Sequence, residues 1–443
     1  MSTYLDLIDQ LLTHAKRAGA DAADALIAAG TSLSVHRRLG QTEHVERSEG
    51  RDLGLRVLVG QRSAVVSSSA LDPSGFARLA EQAVAMARVV PEDPYLGLGE
   101  VFSPADATLL DLYDPSEPDA DTLGALAGRA EEAALAVSGV TNSEGCEAGY
   151  GKTDIALGTS AGFRGAYART SFSFSATALA GTGTGMERDY DYSTAVHFND
   201  LEQPELIGRT AGEKAVARLN PGRVKTARMP VIFDPRVSNG LIGHLSGAIN
   251  GASVARGGSF LQDRLGQRLF RPGIVIRDDP SRRRGLRSRP FDGEGQPVQP
   301  LSVIEDGVLT SWILDLRSAR QLGLHTTGHA ARGTGGGPSP AVSNFYLEAG
   351  MLSPMALMAD ISEGLYITET MGPGVNLTTG DYSRGCAGFM IRNGALAEPV
   401  AEITIAGHLL SMFAELTPAD DLRFRGSVDA PTVRIDGMMV AGA

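Results

Sequence analysis

The organisation of the second half of this chain can be read from the stretch Gly388-Phe389-Met390-Ile391-Arg392-Asn393-Gly394-Ala395-Leu396-Ala397-Glu398-Pro399-Val400. Two runs that suit β-strands flank an Asn-Gly pair, and Asn-Gly favours the positive φ angles that two-residue hairpin turns require. Two Asp-Gly pairs give the same signal: 306–307, between runs 302–305 and 308–312, and 436–437, between runs 432–435 and 438–440. The pattern predicts a β-rich antiparallel C-terminal domain over residues 223–443, with helices at 235–248 and 353–362.

The sequence of the first half predicts helices packed on an antiparallel sheet. Apolar residues recur at helical spacing near the start, and three later segments have helical composition: 72–90, 120–137 and 201–219. Residues 140–180 are rich in Ser, Thr and Gly with alternating patches, which indicates long antiparallel strands. Pro221-Gly222 ends the last helix, so we predict an N-terminal α+β domain over 1–222. The predicted fold class of the whole chain is α+β.

Composition narrows the classes of function. A chain of 443 residues is longer than a single core usually supports, which favours two domains. Its 40 basic and 52 acidic side chains give a net charge of −12, which disfavours a general nucleic-acid partner. Two cysteines cannot form a disulfide framework or a four-cysteine metal site. With no signal-peptide pattern and no long apolar run, we expect a cytoplasmic protein without a membrane partner.

Several uncommon strings occur in one order along the second half. They are Ser288-Arg289-Pro290-Phe291-Asp292, Ser343-Asn344-Phe345-Tyr346-Leu347 after Pro338-Ser339-Pro340, the block Gly374-Val375-Asn376-Leu377-Thr378-Thr379-Gly380-Asp381-Tyr382-Ser383-Arg384-Gly385, and Ile405-Ala406-Gly407 after Pro399-Val400. Together they resemble the PmbA/TldE-type members of the TldD/PmbA family, and the order of elements in the first half agrees. This family is known as modulators of DNA gyrase and of microcin maturation. The resemblance implies a two-part protease, in which a TldD-type subunit holds zinc and a PmbA/TldE-type subunit pairs with it.

The resemblance also implies where zinc chemistry would occur. The TldD-type site uses a helix with His-Glu-x-x-x-His and a cysteine near the C-terminus, which supply three ligands and a general base. On the matching helix here, His244 stands at the first His, Leu245 at the Glu and Ile249 at the second His, and residues 422–434 contain no cysteine. The resemblance therefore implies a pseudo-active site with no catalytic or metal-binding residues and no cofactor of its own, with zinc in the partner. We expect His244 to be partly buried and hydrogen-bonded to backbone.

Two other segments offer candidate site residues. His325 and His329 are four residues apart, but the surrounding glycines favour a loop with solvated or capping histidines over a metal pair. Gly335, Gly336 and Gly337 lack the ending of a phosphate-binding loop. They indicate a flexible surface loop or, alternatively, a place where an extended peptide pairs with a strand edge. On that alternative, the candidate peptide-binding residues are these three glycines with Ser343 and Asn344.

A basic cluster and one thiol complete the candidates. Arg282, Arg283, Arg284, Arg287 and Arg289 leave three interpretations open: a solvated loop, an acidic partner surface or nucleic acid. Nucleic acid ranks last, because no aromatic residues interleave with the arginines. The thiol most worth testing for reactivity is Cys386, although no base lies near it in sequence and only the distant His408 could approach it.

We weigh three functions from the sequence. The first is a non-catalytic or regulatory subunit of a TldD/PmbA-type zinc metallopeptidase, which helps hold unfolded peptides such as microcin-type precursors or antitoxins. Its expected partners are a TldD-type chain, a peptide and, in isolation, a second copy in a homodimer. The alternative is a peptidase-independent binding protein that modulates DNA gyrase or a toxin–antitoxin system. A third, an independent hydrolase, requires His244, His325 and His329 to converge in space.

Overall fold

The structure is a computed structural model, and it describes residues 2–442. Its first half is a six-stranded antiparallel sheet with the strand order β3-β2-β1-β4-β5-β6. The helices are α1 (Ser2–Ala18), α2 (Phe76–Ala87), α3 (Ala120–Leu135) and α4 (Pro204–Ala217). The strands are β1 (Ala22–Arg38), β2 (Gln41–Val59), β3 (Arg62–Ser68), β4 (Val140–Thr159), β5 (Arg164–Ala180) and β6 (Glu187–Ala195).

Alternation along β1 shows which face of this sheet the helices cover. Ile27 packs in the core under α1 and α2, and Val35, eight residues later, packs in the core under α3 and α4. Residues an even number apart on a strand point to the same side, so all four helices cover one face. Leu26 points to the other side, where it packs with Leu157 and Phe291. Phe291 belongs to the second half, so this opposite face meets that half.

Strand β2 extends well beyond its outer neighbour. β3 pairs with Leu53–Val59 of β2, whereas β1 pairs with β2 along nearly its whole length. Residues 41–52 of β2 therefore have β1 on one side and solvent on the other, and all of them are exposed. The β1–β2 hairpin turns at Leu39-Gly40, where both residues have positive φ.

The second half contains two larger sheets and a two-stranded ribbon of β11 and β12. Its helices are α5 (Pro235–Ala248), α6 (Gly251–Ala255), α7 (Leu316–Leu322), α8 (Pro354–Met358) and α9 (Leu409–Glu415). Its strands are β7 (Ala227–Phe233), β8 (Ile276–Asp278), β9 (Leu301–Glu305), β10 (Val308–Leu309), β11 (Ala330–Ala331), β12 (Ser339–Pro340), β13 (Phe345–Leu347), β14 (Glu363–Met371), β15 (Asp381–Arg392), β16 (Ala395–His408), β17 (Thr417–Pro418), β18 (Val428–Asp429) and β19 (Val433–Ala441).

The larger sheet of this half closes on itself. Its strand order is β16-β15-β14-β7-β19-β17, and β16 also pairs with β19, so that five strands form a ring. The smaller sheet has the order β10-β9-β8-β13-β18. Among the pairings of the named strands, within residues 2–442, two are parallel: β7 with β14 and β13 with β18. The prediction of an α+β fold with a β-rich antiparallel second half is confirmed.

Some of the local predictions for the second half agree with the structure, and others differ from it. Asn393-Gly394 joins β15 to β16 and Asp306-Gly307 joins β9 to β10, as predicted. The helix predicted at 235–248 is α5, whereas the helix predicted at 353–362 is shorter and covers Pro354–Met358. Along residues 2–442, no helix combines the length and the apolar character that crossing a bilayer would require.

The hairpin predicted at Asp436-Gly437 is wrong. Residues on both sides of this pair belong to β19 and face the same neighbour, with Ile435 opposite Val231 and Met438 opposite Met229. Two residues of β19 thus stand opposite one residue of β7, which is a β-bulge. Gly437 has a φ of +73°, so its backbone freedom serves a bulge here instead of a turn. A positive φ suits both structures, which is why the dipeptide alone does not distinguish them.

Buried ion pairs join the two halves. Arg332, which follows β11, pairs with Asp24 on β1. Arg236, in the first turn of α5, donates from Nη2 to Oδ2 of Asp189 on β6 at 3.1 Å. The predicted domain boundary at 222/223 falls between the end of α4 and the start of β7, and it stays a prediction.

Candidate functional site

Helix α5 carries the three positions that the family resemblance matches to the zinc motif. Asp234 caps the helix by accepting a hydrogen bond from the Arg236 N–H at 3.1 Å, and Pro235 occupies the first turn. Leu245 and Ile249 are both 0% exposed and belong to the largest hydrophobic cluster of the second half. Aliphatic side chains have no lone pair for a metal and cannot accept a proton from water. These two positions therefore contribute to the core.

His244 lies half-buried on the same helix. Its ring packs edge-on against Tyr382, with 6.0 Å between ring centroids. Burial, together with the positive charge of Arg384, lowers the pKa of His244, so the imidazole is neutral at physiological pH. The expected partial burial is confirmed. The expected backbone hydrogen bond stays a prediction.

The described side chains do not fit a zinc ion at α5. Among residues 2–442, no group of three or more His, Cys, Asp and Glu side chains is placed to hold a metal. His325 is exposed, whereas His329 is fully buried with its Nδ1 2.7 Å from the Thr327 carbonyl oxygen and its Nε2 3.2 Å from Asp278 Oδ1. His244, His325 and His329 therefore do not form a common metal site among the described residues, as an independent hydrolase would require.

The glycine run predicted to contact peptide lies at the surface. Gly335, Gly336 and Gly337 are exposed, and a Cβ atom added to any of them would meet nothing within 4 Å. A close backbone approach does occur beside them, but it involves another glycine. A Cβ atom on Gly54 of β2 would lie 2.2 Å from the carbonyl oxygen of Thr334. The peptide-binding role of the three glycines stays a prediction, and their backbone has room for it.

Ser343 and Asn344 lie apart from that surface, in buried positions just before β13. The Ser343 N–H donates to Asp278 Oδ1 at 3.0 Å. The Asn344 amide donates to Ser288 Oγ at 2.9 Å and accepts from the Arg287 N–H at 2.9 Å. The Asn344 side chain thus fixes the loop before β9 against β13, and the Ser343 backbone is joined to the end of β8. A contact with peptide at these residues stays a prediction, although their polar groups already have internal partners.

The arginine cluster does not form one basic surface. Arg284 donates from Nε to Asp111 Oδ2 at 2.7 Å, and Arg283 donates to the same oxygen at 2.9 Å. The Arg282 guanidinium stacks on Phe424, 3.2 Å above the ring centroid. These three arginines therefore have partners within the chain. The remaining two, Arg287 and Arg289, line a cavity instead.

Sequence reasoning missed a cavity between the two halves of the molecule. Its volume is about 560 Å³, which is the size of a small-molecule site. The wall combines side chains of β1, β4 and β5 with loops of the second half, among them Leu26, Ile155, Tyr167, Arg169, Arg287, Arg289, Phe291, Arg332 and Val342. Its residues are dispersed over the chain, so the clustered Arg287 and Arg289 were the one signal that could have pointed to it.

Cys386 is inert in this setting. Its side chain is 0% exposed, and burial raises the pKa of its thiol to about 12. On the neighbouring strand it faces Ile403, and His408 lies further along that strand with its Nε2 bonded to the Thr379 carbonyl oxygen at 2.9 Å. Without a base, the thiol packs in the core and is not a nucleophile.

Three family descriptions match consecutive parts of the chain. They are the PmbA/TldA metallopeptidase domain 1 at residues 23–87, the central domain at 113–219 and the C-terminal domain at 226–442. A relative named metalloprotease PmbA, from Escherichia coli O157:H7, is 38% identical over 95% of this chain and 92% of its own length. A metalloprotease PmbA homologue from Haemophilus influenzae is 35% identical over 97% and 94%.

Solved structures share the fold. A proposed modulator of DNA gyrase from Bacteroides thetaiotaomicron superposes with a TM-score of 0.87 at 24% identity, covering 99% of this chain and 98% of the other. TldE from Thermococcus kodakarensis gives a TM-score of 0.88 at 18% identity, covering 98% and 100%. The architecture is thus common to chains with little sequence identity to this one.

Proposed function

This chain belongs to the PmbA/TldD metallopeptidase family, and from that premise we propose that it is a non-catalytic or regulatory subunit of a two-chain zinc peptidase. Leu245 and Ile249 carry the proposal, because both are buried aliphatic residues where the zinc-bearing pattern has a base and a ligand. A TldD-type partner would supply zinc, its ligands and the general base. This chain would need no cofactor of its own.

The proposed task of this subunit is to shape the chamber and hold an unfolded peptide. The exposed backbone at Gly335, Gly336 and Gly337 supports it, because no side chain there obstructs an extended strand. Microcin-type precursors and antitoxins are the proposed substrates. We place the complex in the cytoplasm and propose that the isolated chain forms a homodimer through the face that it offers to its partner.

The decisive experiment measures cleavage of an unfolded, fluorescently labelled peptide. This chain alone, a TldD-type chain alone and the mixture are compared, with bound zinc quantified in each. We expect cleavage by the mixture and none by this chain alone. As a control, a TldD-type chain whose motif glutamate is replaced by glutamine must lose activity in the mixture. Stoichiometric zinc and cleavage by this chain on its own would remove the proposal.

A second candidate rests on the structural relatives that carry the name of modulators of DNA gyrase. On this alternative the chain binds gyrase or a toxin–antitoxin system without a peptidase partner. Co-purification from cells that express a tagged copy separates the two. Recovery of a TldD-type chain supports the subunit, whereas recovery of gyrase subunits without such a chain supports the alternative.

A further inference from the structure

Four arginines converge on the cavity between the two halves. Arg169 comes from β5, Arg287 and Arg289 from the loop before β9, and Arg332 from the segment after β11. Asp292 is the one acidic residue in the described wall of this cavity. The wall is therefore strongly positive in a chain whose net charge is −12.

The carboxylate of Asp292 already accepts hydrogen bonds from backbone N–H groups. Its Oδ1 accepts the N–H groups of Glu294 at 2.8 Å and Gln296 at 2.9 Å, and its Oδ2 accepts the Ala330 N–H at 3.0 Å. The role of Asp292 is thus to hold the turn after Phe291. Among the wall residues, Asp292 offsets one of the four arginine charges, and Arg332 pairs with Asp24 outside the wall.

Several buried guanidinium nitrogens in this wall lack a partner. Nε and Nη2 of Arg289, and Nε and Nη2 of Arg332, are buried without a hydrogen bond in the described structure. The Arg332 side chain is 1% exposed. Buried donors in folded proteins are rarely left unsatisfied, and charged ones least of all. Two cationic side chains of this wall therefore carry donors that no acceptor within the described chain satisfies.

Each of these guanidinium groups is held in place by its remaining nitrogens. Arg332 pairs with Asp24, Arg289 donates from Nη1 to the Ala330 carbonyl oxygen at 3.1 Å, and Arg169 donates to the carbonyl oxygen of Leu286. Burial, together with the charges of Arg287 and Arg289, lowers the pKa of Arg169, which reports the crowding of positive charge. The donors are thus fixed before any ligand arrives.

Apolar side chains form another part of the wall. Leu26, Ile155, Phe291 and Val342 line the cavity beside the arginines. A carboxylate accepts two parallel hydrogen bonds from a guanidinium group, and an apolar body next to it would cover these side chains. We propose that this cavity binds the carboxylate of a ligand with an apolar body, either the C-terminal residue of a peptide or a free small organic acid.

The peptide source rests on the proposed function, whereas the carboxylate site itself does not. If the ligand is a peptide, the cavity anchors its C-terminus at the junction of the two halves, beside the segment that leads into Gly335. Binding to the chain alone tests the site without peptidase activity or a partner. Failure of that experiment leaves the subunit proposal standing, and failure of the cleavage experiment leaves the site standing.

The test is calorimetric titration of the full chain with four probes. They are N-acetyl-leucine, a short peptide that ends in leucine with a free carboxylate, the same peptide with an amidated C-terminus, and inorganic phosphate. We expect the free carboxylates to bind and the amidated peptide to bind at least about tenfold more weakly. Tighter binding of the peptide than of N-acetyl-leucine assigns the site to peptide C-termini, and the reverse assigns it to small acids.

Variants place the binding in this cavity. Arg289→Gln and Arg287→Gln each remove one charge from the wall, and we expect a loss of about tenfold or more in carboxylate affinity. Arg287 is exposed, so its variant keeps the test valid if Arg289→Gln fails to fold. Arg283→Gln is the matched control, because that side chain pairs with Asp111 away from the cavity. Equal binding of the amidated peptide, binding of phosphate alone, or no binding at all would overturn the proposal.

Discussion

Arg332 donates a hydrogen bond to Asp24, and both side chains are 1% exposed. The same carboxylate accepts from Arg56 Nε at 2.8 Å, so one buried anion lies between two buried cations. The three residues connect β1, β2 and the loop that leads into the glycine run. Burial opposes ionisation of Asp24, but the charges and hydrogen bonds of Arg56 and Arg332 outweigh it and lower its pKa.

Replacing Asp24 by Asn should destabilise the fold strongly. The substitution leaves two buried guanidinium groups without their anion, and we expect the free energy of unfolding to fall by about 3–5 kcal/mol. Urea unfolding at pH 7 measures the change. Glu49→Gln is the control, because Glu49 pairs with Arg47 at the exposed surface and such pairs contribute about 0–1 kcal/mol. Similar losses in the two variants would contradict the prediction.

The effect of Asp24 should also depend on pH. The pKa of Asp24 in the folded chain lies below the ordinary value of 3.8. Its contribution to the free energy of unfolding is therefore fully present above pH 3.8 and is lost as the pH falls through the folded pKa. The difference in stability between the native chain and Asp24→Asn should therefore persist from neutral pH to about pH 4 and shrink below it. Urea unfolding at a series of pH values provides the measurement, and a difference that stayed constant down to pH 2 would count against it.

Glu294 should oppose folding at alkaline pH. Burial, reinforced by the negative charge of Asp292, raises the pKa of Glu294 to about 8 from an ordinary value of 4.5. The folded chain then binds more protons than the unfolded one, so stability falls as the pH rises from 4.5 to 8. Glu294→Gln keeps an acceptor for the Leu316 N–H, which is 2.8 Å away.

We expect Glu294→Gln to raise the free energy of unfolding by about 1 kcal/mol or more at pH 9 and to leave it nearly unchanged at pH 4. Urea unfolding at both pH values tests this. The exposed Glu305→Gln serves as the control and should behave alike at the two pH values. A gain from Glu294→Gln that is equal at both pH values would show that packing, and not ionisation, is responsible.

Restoring the family's zinc residues on α5 should fail. Leu245→Glu with Ile249→His places a carboxylate and an imidazole at positions that are 0% exposed. We expect a loss of stability of at least about 3 kcal/mol, because a buried charge without a partner adds to the lost apolar packing. Denaturant unfolding and zinc content by mass spectrometry are the measurements, and Leu245→Met, which keeps volume and polarity, is the control. A stable variant with one tightly bound zinc would refute the assignment of α5 to the core.

Both thiols should be unreactive in the folded chain. Cys146 and Cys386 are 1% and 0% exposed, and burial raises the pKa of each to about 12. Neither supplies thiolate at neutral pH, so labelling by a water-soluble disulfide reagent should proceed only on unfolding. Rapid labelling of one thiol under native conditions would show an opening of the core that the structure does not contain.

The sequence predicted the elements that local chemistry determines. Asn393-Gly394 specifies its hairpin because both residues tolerate positive φ next to strand-forming runs, and α5 follows from Asp234, Pro235 and the apolar spacing behind them. Asp436-Gly437 has the same local chemistry, but β7 pairs with the residues on both of its sides. The bulge forms because β7, about two hundred residues earlier in the chain, pairs with both sides of the dipeptide. The residues next to Asp436 do not indicate that pairing.

The candidate site likewise has features that the local sequence predicts and features that it does not. That Leu245 and Ile249 cannot hold zinc follows from their chemistry alone, and the structure adds that they are buried. The cavity could not be predicted, because Arg169 and Arg332 meet only when the face of β5 opposite the helices packs on the second half. The cluster at Arg283 and Arg284 was visible in the sequence, but its partner Asp111 lies in the first half.

The long overhang of β2 has a consequence for the solubility of the chain. Residues 41–52 offer unpaired backbone N–H and C=O groups along one edge, which is the kind of edge that recruits strands from other molecules into aggregates. Half of these twelve residues are charged, with acids at Glu43, Glu46, Glu49 and Asp52 and bases at Arg47 and Arg51. A second copy that paired with this edge would have to remove these charges from water, so the charges oppose self-association. Neutralising them should lower the protein concentration at which the chain begins to precipitate.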